Sequence, residues 1–187
     1  LATTVLCVRG LAWGSERKGN VGQTHAEMPL KAAFEIPFGW YPQAVHFAGM
    51  ARRHMALYGT TEAQLGEVAV TMRRHAALSD NAVLREKPLT LDEYLATPYL
   101  AEPYRVHDCC LVTDGAGAFV VTSRERARDL RGPPVAALGV GTGVTQDGEY
   151  SSLRADYLAT PAVHAAPRAY AMAGLSPPDV DVVTLYD

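Results

Sequence analysis

DVVTLYD, residues 181–187, reads as a buried β-strand: Val182, Val183 and Leu185 are strand-forming apolar residues, and Tyr186 and Asp187 put polar chemistry at its end. Just upstream, Thr160-Pro161 opens a helical pattern that closes at Gly174, and Leu175-Ser-Pro-Pro178 turns the chain into that strand. Beyond the boundary Pro133-Pro134, residues 135–144 read as another strand. A strand, helix, strand unit normally pairs its strands in parallel through a right-handed crossover, so this tail points to an α/β fold. The opposite end is alike: LATTVLCVRGL, residues 1–11, is an apolar run typical of a central strand. A chain that opens and closes inside strands is expected to be the middle of a larger protein, with part of the active site outside it.

Between these ends helical signals dominate. Residues 13–40 have no steady period and carry several Gly and Pro residues, the mark of a long functional loop. Residues 42–58 open at Pro42, close at Gly59 and place Phe47, Met50, His54, Leu57 and Tyr58 on one face. Thr61-Glu-Ala-Gln64 is a capping-box pattern for a helix over 62–78, and Thr90-Leu-Asp-Glu93 caps a short one that Pro98 ends. Residues 109–122 hold two apolar runs around Asp114-Gly115 and predict a β-hairpin or bent strand pair. Ser123 is placed to cap a charged helix over 124–131. The architecture expected from the residues is a helical insertion between strands of an α/β scaffold.

Composition excludes several classes. The chain has 187 residues, of which 48% are hydrophobic and 20% charged, enough to bury a sizeable core. A net charge of −3 and the lack of a basic run argue against a nucleic-acid surface. No apolar segment approaches the ~20 residues of a membrane span. Three cysteines, two of them adjacent, make no disulfide framework, so a reducing cytoplasm is expected.

Several segments, in their order and spacing, resemble the thiolase superfamily, and within it the lipid-transfer-protein branch related to sterol-carrier-protein thiolases. They are Arg52-Arg-His-Met55 with Tyr58-Gly-Thr-Thr61, Arg73-Arg-His-Ala-Ala77, Leu89-Thr-Leu-Asp-Glu-Tyr-Leu95, Asp108-Cys-Cys-Leu-Val-Thr-Asp-Gly-Ala-Gly-Ala118, and residues 181–187. The resemblance implies mixed sheets sandwiched by helices, with a mostly helical loop domain inserted in the first half and only the middle half of the fold present. Residues 1–11 and 107–131 would then belong to the N-terminal half, 12–106 to the inserted loop domain, and 132–187 to the start of the C-terminal half. It implies a substrate that is a CoA thioester, with no covalently bound cofactor. The chemistry would be thiolytic acyl transfer or retro-aldol cleavage of a lipid or sterol side chain. The alternative is a non-catalytic acyl-CoA-binding or scaffold subunit. A homodimer and a small zinc-containing OB-fold partner are implied as well. By this mapping the nucleophilic Cys, the catalytic His and a second Cys all fall outside residues 1–187, and Cys7, Cys109 and Cys110 do not stand in the nucleophile's context.

Tyr186 is the leading catalytic candidate. It aligns where thiolases carry Asn and sterol-carrier thiolases carry His, and its hydroxyl could serve an enolate or a β-hydroxyl; the bland reading is a strand-end Tyr. Asp187 would orient the loop, or be a solvated carboxylate. Cys110 aligns with a small residue beside the pantetheine arm, against the plainer role of a small buried hydrophobe. His107-Asp-Cys-Cys110 tempts a metal reading, but on a strand its four groups split between two faces and no second pair has zinc spacing. Gly139-Val-Gly-Thr-Gly143 lacks the last glycine of a dinucleotide loop. Arg52, Arg53, Arg73 and Arg74 are expected on solvated helix faces or, through the resemblance, near a CoA phosphate.

Overall fold

The computed structural model of the chain describes residues 2–15, 28–40, 42–145 and 154–185. In chain order the elements are β1 (Thr4–Ala12), α1 (Pro29–Phe34), α2 (Gln43–Tyr58), α3 (Glu62–Ala77), α4 (Leu91–Ala96), β2 (Tyr99–Ala101), β3 (Tyr104–Arg105), β4 (Asp114–Thr122), α5 (Arg124–Ala127) and α6 (Ala162–Ala173). The chain divides into two compact units: Leu1–Ser15, Asp114–Glu149 and Ala159–Asp187 form the first, and Glu16–Thr113 with Tyr150–Leu158 the second.

In the first unit β1 and β4 pair antiparallel in one unbroken register, from Thr4 opposite Thr122 to Ala12 opposite Asp114. The hairpin expected around Asp114-Gly115 does not form. The Asp114 carboxylate instead accepts hydrogen bonds from the Gly14 and Ser15 amides at 2.7 and 3.0 Å and from the Ser15 hydroxyl at 2.6 Å, closing the far end of β1. Leu6 and Val8 on one face of the ribbon and Val5 on the other are all exposed, as are Phe119, Val120 and Val121 on β4. Apolar side chains on both faces are the signature of strands that lie between two layers.

The strand expected over 135–144 has no ladder partner among the described residues. That segment runs antiparallel along α6: Gly139 meets the Ala169 carbonyl, Gly141 that of Ala165, and Gly143 that of Pro161. Two residues of chain per helical turn is the step of an extended backbone, so the strand period is real even though the ladder is missing. The segment after Val180 likewise has no ladder partner, with Val182, Val183 and Leu185 exposed. The parallel pairing expected for this tail is therefore absent from the described residues. Gly174, at φ 68°, ends α6 in the left-handed conformation that glycine favours.

The second unit is mostly helical. α2 ends at Gly59 with φ 70°, while Pro42 is its N-cap rather than its first helical residue. Both predicted capping boxes form. Thr61 Oγ1 accepts from the Gln64 amide and Gln64 Oε1 from the Thr61 amide, and Thr90 and Glu93 repeat the exchange. α4 stops at Ala96 because Thr97, which precedes Pro98, is extended. Within the stretch expected over 13–40 to be irregular, Pro29 starts α1, and a buried Lys31–Glu35 ion pair at 3.2 Å fastens its last turn. Ser123 caps a helix as expected, but α5 ends at Ala127. Among the described residues no helix is long and apolar enough to cross a membrane.

Candidate functional site

The best-formed polar assembly lies in the second unit, where α3, α4 and the β2–β3 hairpin meet. Tyr94 of α4 is 0% exposed and sits against Gly66 of α3, where an added Cβ would lie 2.6 Å from its ring. Arg105 of β3, 5% exposed, lays its guanidinium 5.1 Å from the Tyr94 ring centre and 4.4 Å from that of Tyr99. It pairs with Glu62 at 2.8 Å and donates to the carbonyls of Pro103 and Leu95 at 3.3 and 3.1 Å. The Tyr99 hydroxyl donates to the other oxygen of Glu62 at 2.6 Å. The Glu62 carboxylate and the two carbonyls offset the cost of burying this charge, although the buried Nε has no hydrogen-bond partner among the described residues.

These contacts set the local acidities. The Tyr99 hydroxyl, more than Arg105, holds the Glu62 carboxyl below its ordinary 4.5 against the opposing effect of burial. Burial first, and then Asp108, push the Tyr94 phenol well above its usual range. Because the folded pKa of Glu62 is depressed, its contribution to stability is complete above 4.5 and is lost as pH falls through the folded value. Glu62→Gln is therefore expected to lower stability at neutral pH and to flatten the acid branch below that range, as read from denaturant melts between pH 3 and 7. An unchanged acid branch would remove Glu62 from the assembly.

The assembly reaches the segment that carries Cys110. The Tyr94 hydroxyl donates to both carboxylate oxygens of Asp108 at 2.9 Å, and Asp108 accepts the Arg105 amide at 2.6 Å. Together these bonds close a 3-10 turn over Val106–Asp108, with His107 Nε2 3.2 Å from Thr97 Oγ1. His107 and Asp108 thus belong to a helical turn, and the strand alternation used to divide the ligands in the sequence does not apply. Each is tied to α4 or its C-terminal flank instead. Among the described residues no group of His, Cys, Asp or Glu is placed to hold a metal ion.

Cys109 follows in extended conformation, its thiol pushed up by burial and then by Asp108 and Cys110. Cys110 is exposed. Tyr186 and Asp187 lie outside the described residues. The basic residues on α2 and α3 are mostly committed to local partners. Arg52 pairs with Glu102 at 3.1 Å, Arg73 donates to the Lys87 carbonyl and Arg74 to the Thr71 hydroxyl. His54 contacts the Thr60 hydroxyl at 2.8 Å beside an open cleft of about 240 Å³ lined by Met50, Met55, Leu65 and Leu158. Sequence reasoning passed over Arg105 and Tyr94. The signal was a single Arg in a stretch with Tyr94, Tyr99 and Tyr104 at five-residue steps, which no local period picks out.

Comparison with known proteins decides the family. Residues 143–187 match the family described as thiolase C-terminal domain-like. The chain is 35% identical, over its whole length and 50% of the relative's, to the steroid side-chain-cleaving aldolase of Thermomonospora curvata. It is 38% identical, over 83% of its length and 41% of the relative's, to the 17-hydroxy-3-oxo-4-pregnene-20-carboxyl-CoA lyase of Mycobacterium tuberculosis. A solved structure, the Ltp2-ChsH2(DUF35) aldolase, superposes with a TM-score of 0.81 at 34% identity, covering 96% of this chain and 46% of that one. The chain belongs to the thiolase superfamily.

The chain spans about half the length of the relatives it matches. In thiolase terms the matched family segment begins at Gly143 and takes in α6 and the DVVTLYD stretch. The glycines read from sequence as a faint dinucleotide loop now have a structural cause. Gly139, Gly141 and Gly143 let an extended segment lie directly on the α6 backbone.

Proposed function

We propose that the protein is a thiolase-superfamily enzyme that cleaves a carbon–carbon bond by retro-aldol chemistry, next to the thioester of a steroid- or lipid-derived β-hydroxyacyl-CoA. The observation that carries this reading is the 35% identity over the full chain to a relative named as a steroid side-chain-cleaving aldolase, joined by 38% identity to one named as a CoA lyase. A base takes the proton of the β-hydroxyl, the Cα–Cβ bond breaks, and a carbonyl compound leaves. The electron pair passes to the thioester enolate, which is then protonated at Cα. In this reading Tyr186 serves the β-hydroxyl or the enolate oxygen and Asp187 orients the loop.

Cys110 lies beside the pantetheine arm, where residues 110–113 make no hydrogen bond to a described residue and keep their backbone groups free for an amide-bearing ligand. Residues 1–11 with 107–131 and residues 132–187 are pieces of the two sandwiched halves, and 12–106 is the inserted loop domain. The exposed apolar faces of the β1–β4 ribbon support this placement. A homodimer and a second subunit complete the assembly; the compound name of the solved relative supports the latter.

The test is the intact protein, with its partner subunit, given a steroid-side-chain β-hydroxyacyl-CoA. Release of a carbonyl compound and a shortened acyl-CoA without added CoA is expected. Cleavage that requires free CoA would assign thiolytic transfer instead, and no cleavage would leave a scaffold subunit. In the same preparation saturating acyl-CoA is expected to slow alkylation of Cys110 at least several-fold, read by mass spectrometry. Equal labelling with and without ligand removes Cys110 from the site.

A further inference from the structure

We infer that Tyr94 and Asp108 form a positioning latch that holds the segment carrying Cys110 in its binding-competent course, an inference that rests on the acyl-CoA reading given above. Three observations converge on it. The Asp108 carboxylate shares the one proton of the Tyr94 hydroxyl between its two oxygens, each at 2.9 Å, and accepts the Arg105 amide at 2.6 Å, so one carboxylate joins α4 to the turn over Val106–Asp108. The turn has a second tie to the end of α4, through His107 and Thr97 at 3.2 Å. Immediately beyond it the anchoring stops: the Cys109 amide reaches back to the Val106 carbonyl at 3.3 Å, and residues 110–113 make no hydrogen bond to a described residue before β4 begins at Asp114.

The arrangement fixes one end of a free segment with charge-assisted hydrogen bonds. A segment so fixed meets its ligand with little ordering left to do. Once the latch is loosened, the segment samples other courses, and apparent affinity falls in proportion to the competent fraction. Chemistry at a bound substrate is untouched, because the latch meets no reacting atom.

Tyr94→Phe keeps the ring that packs on Gly66 and faces Arg105 and removes only the hydroxyl. In the intact protein it is expected to raise KM for the acyl-CoA, and the Kd of a non-cleavable acyl-CoA by calorimetry, on the order of 10-fold, with kcat within about 2-fold. Asp108→Asn is the second variant and is expected to shift KM and Kd in the same direction. Tyr99→Phe is the control. It removes a hydroxyl from the same assembly, the one bonded to Glu62, without touching Asp108, and is expected to leave KM and Kd unchanged.

Equal KM and Kd values in Tyr94→Phe and Tyr99→Phe, or a fall in kcat alone, would overturn the latch. So would failure of both Tyr94→Phe and Asp108→Asn to fold, which makes the contact structural, or a wild-type protein that binds no acyl-CoA. A wild type that binds acyl-CoA without cleaving it, with affinity lost only in the Tyr94 and Asp108 variants, keeps the latch and discards the retro-aldol reading.

Discussion

Tyr186→Phe in the intact protein is expected to lower kcat for carbon–carbon cleavage roughly 10²- to 10³-fold. The substitution keeps the ring and deletes one hydroxyl, so the loss reports what that hydroxyl does. In retro-aldol cleavage the charge to be stabilised appears only as the bond breaks. A donor or proton acceptor aimed at that charge contributes little to binding the neutral substrate. KM is therefore expected to stay nearly constant while kcat and kcat/KM fall together. Asp187→Asn, which changes only the group proposed to orient the loop, is expected to cost less, about 10-fold. A Tyr186→Phe enzyme within about 3-fold of wild type would end the assignment, and a rise in KM at constant kcat would move Tyr186 from chemistry to binding.

What could be read from the sequence was what is encoded within a few residues. The capping boxes Thr61/Gln64 and Thr90/Glu93 are three-residue exchanges, and both formed as read. Gly59 and Gly174 close their helices at positive φ for the same local reason. The local misses are small, the early end of α5 at Ala127 and Pro42 as an N-cap, and the larger ones are non-local. Asp114-Gly115 carries turn chemistry, but the partner of β4 is β1, about a hundred positions earlier, and the Asp114 carboxylate is spent on Gly14 and Ser15. Arg105 gains its meaning from Glu62, Tyr94 and Tyr99, which three different elements supply. The sequence reading puts His107 and Asp108 on a strand, whereas their own side chains, tied to Thr97 and Tyr94, bend the segment into a turn. For the candidate site, position relative to a family was legible, and the anchoring that gives a position its geometry was not.

Gly141→Ala, a single added methyl, is expected to destabilise the intact protein by about 3 kcal/mol or more. The added Cβ would overlap the Ala165 carbonyl oxygen and stand 2.9 Å from its carbon and 3.0 Å from the Ala169 amide nitrogen. A carbon next to a carbonyl oxygen settles at about 3.3–3.6 Å, so the segment must lift from α6 by about 1 Å or more. Nothing there can yield by changing rotamer, because these nearest neighbours are all helix backbone.

Lifting also strains both sides, since Gly139 and Gly143 rest on the carbonyls of Ala169 and Pro161, and Arg168 donates to the Thr142 carbonyl at 3.1 Å. Gly66→Ala faces similar separations, 2.6 Å to the Tyr94 ring and 2.7 Å to Leu91 Cδ1, but against side chains that can shift, so a smaller loss is expected. At Gly132 nothing lies within 4 Å, and Gly132→Ala is expected to fall within about 0.5 kcal/mol of wild type. Denaturant melts of the three variants should rank Gly141→Ala lowest at an unchanged m-value. If Gly141→Ala melted with Gly132→Ala, the extended segment would not lie against α6, and the glycine steps would need another cause.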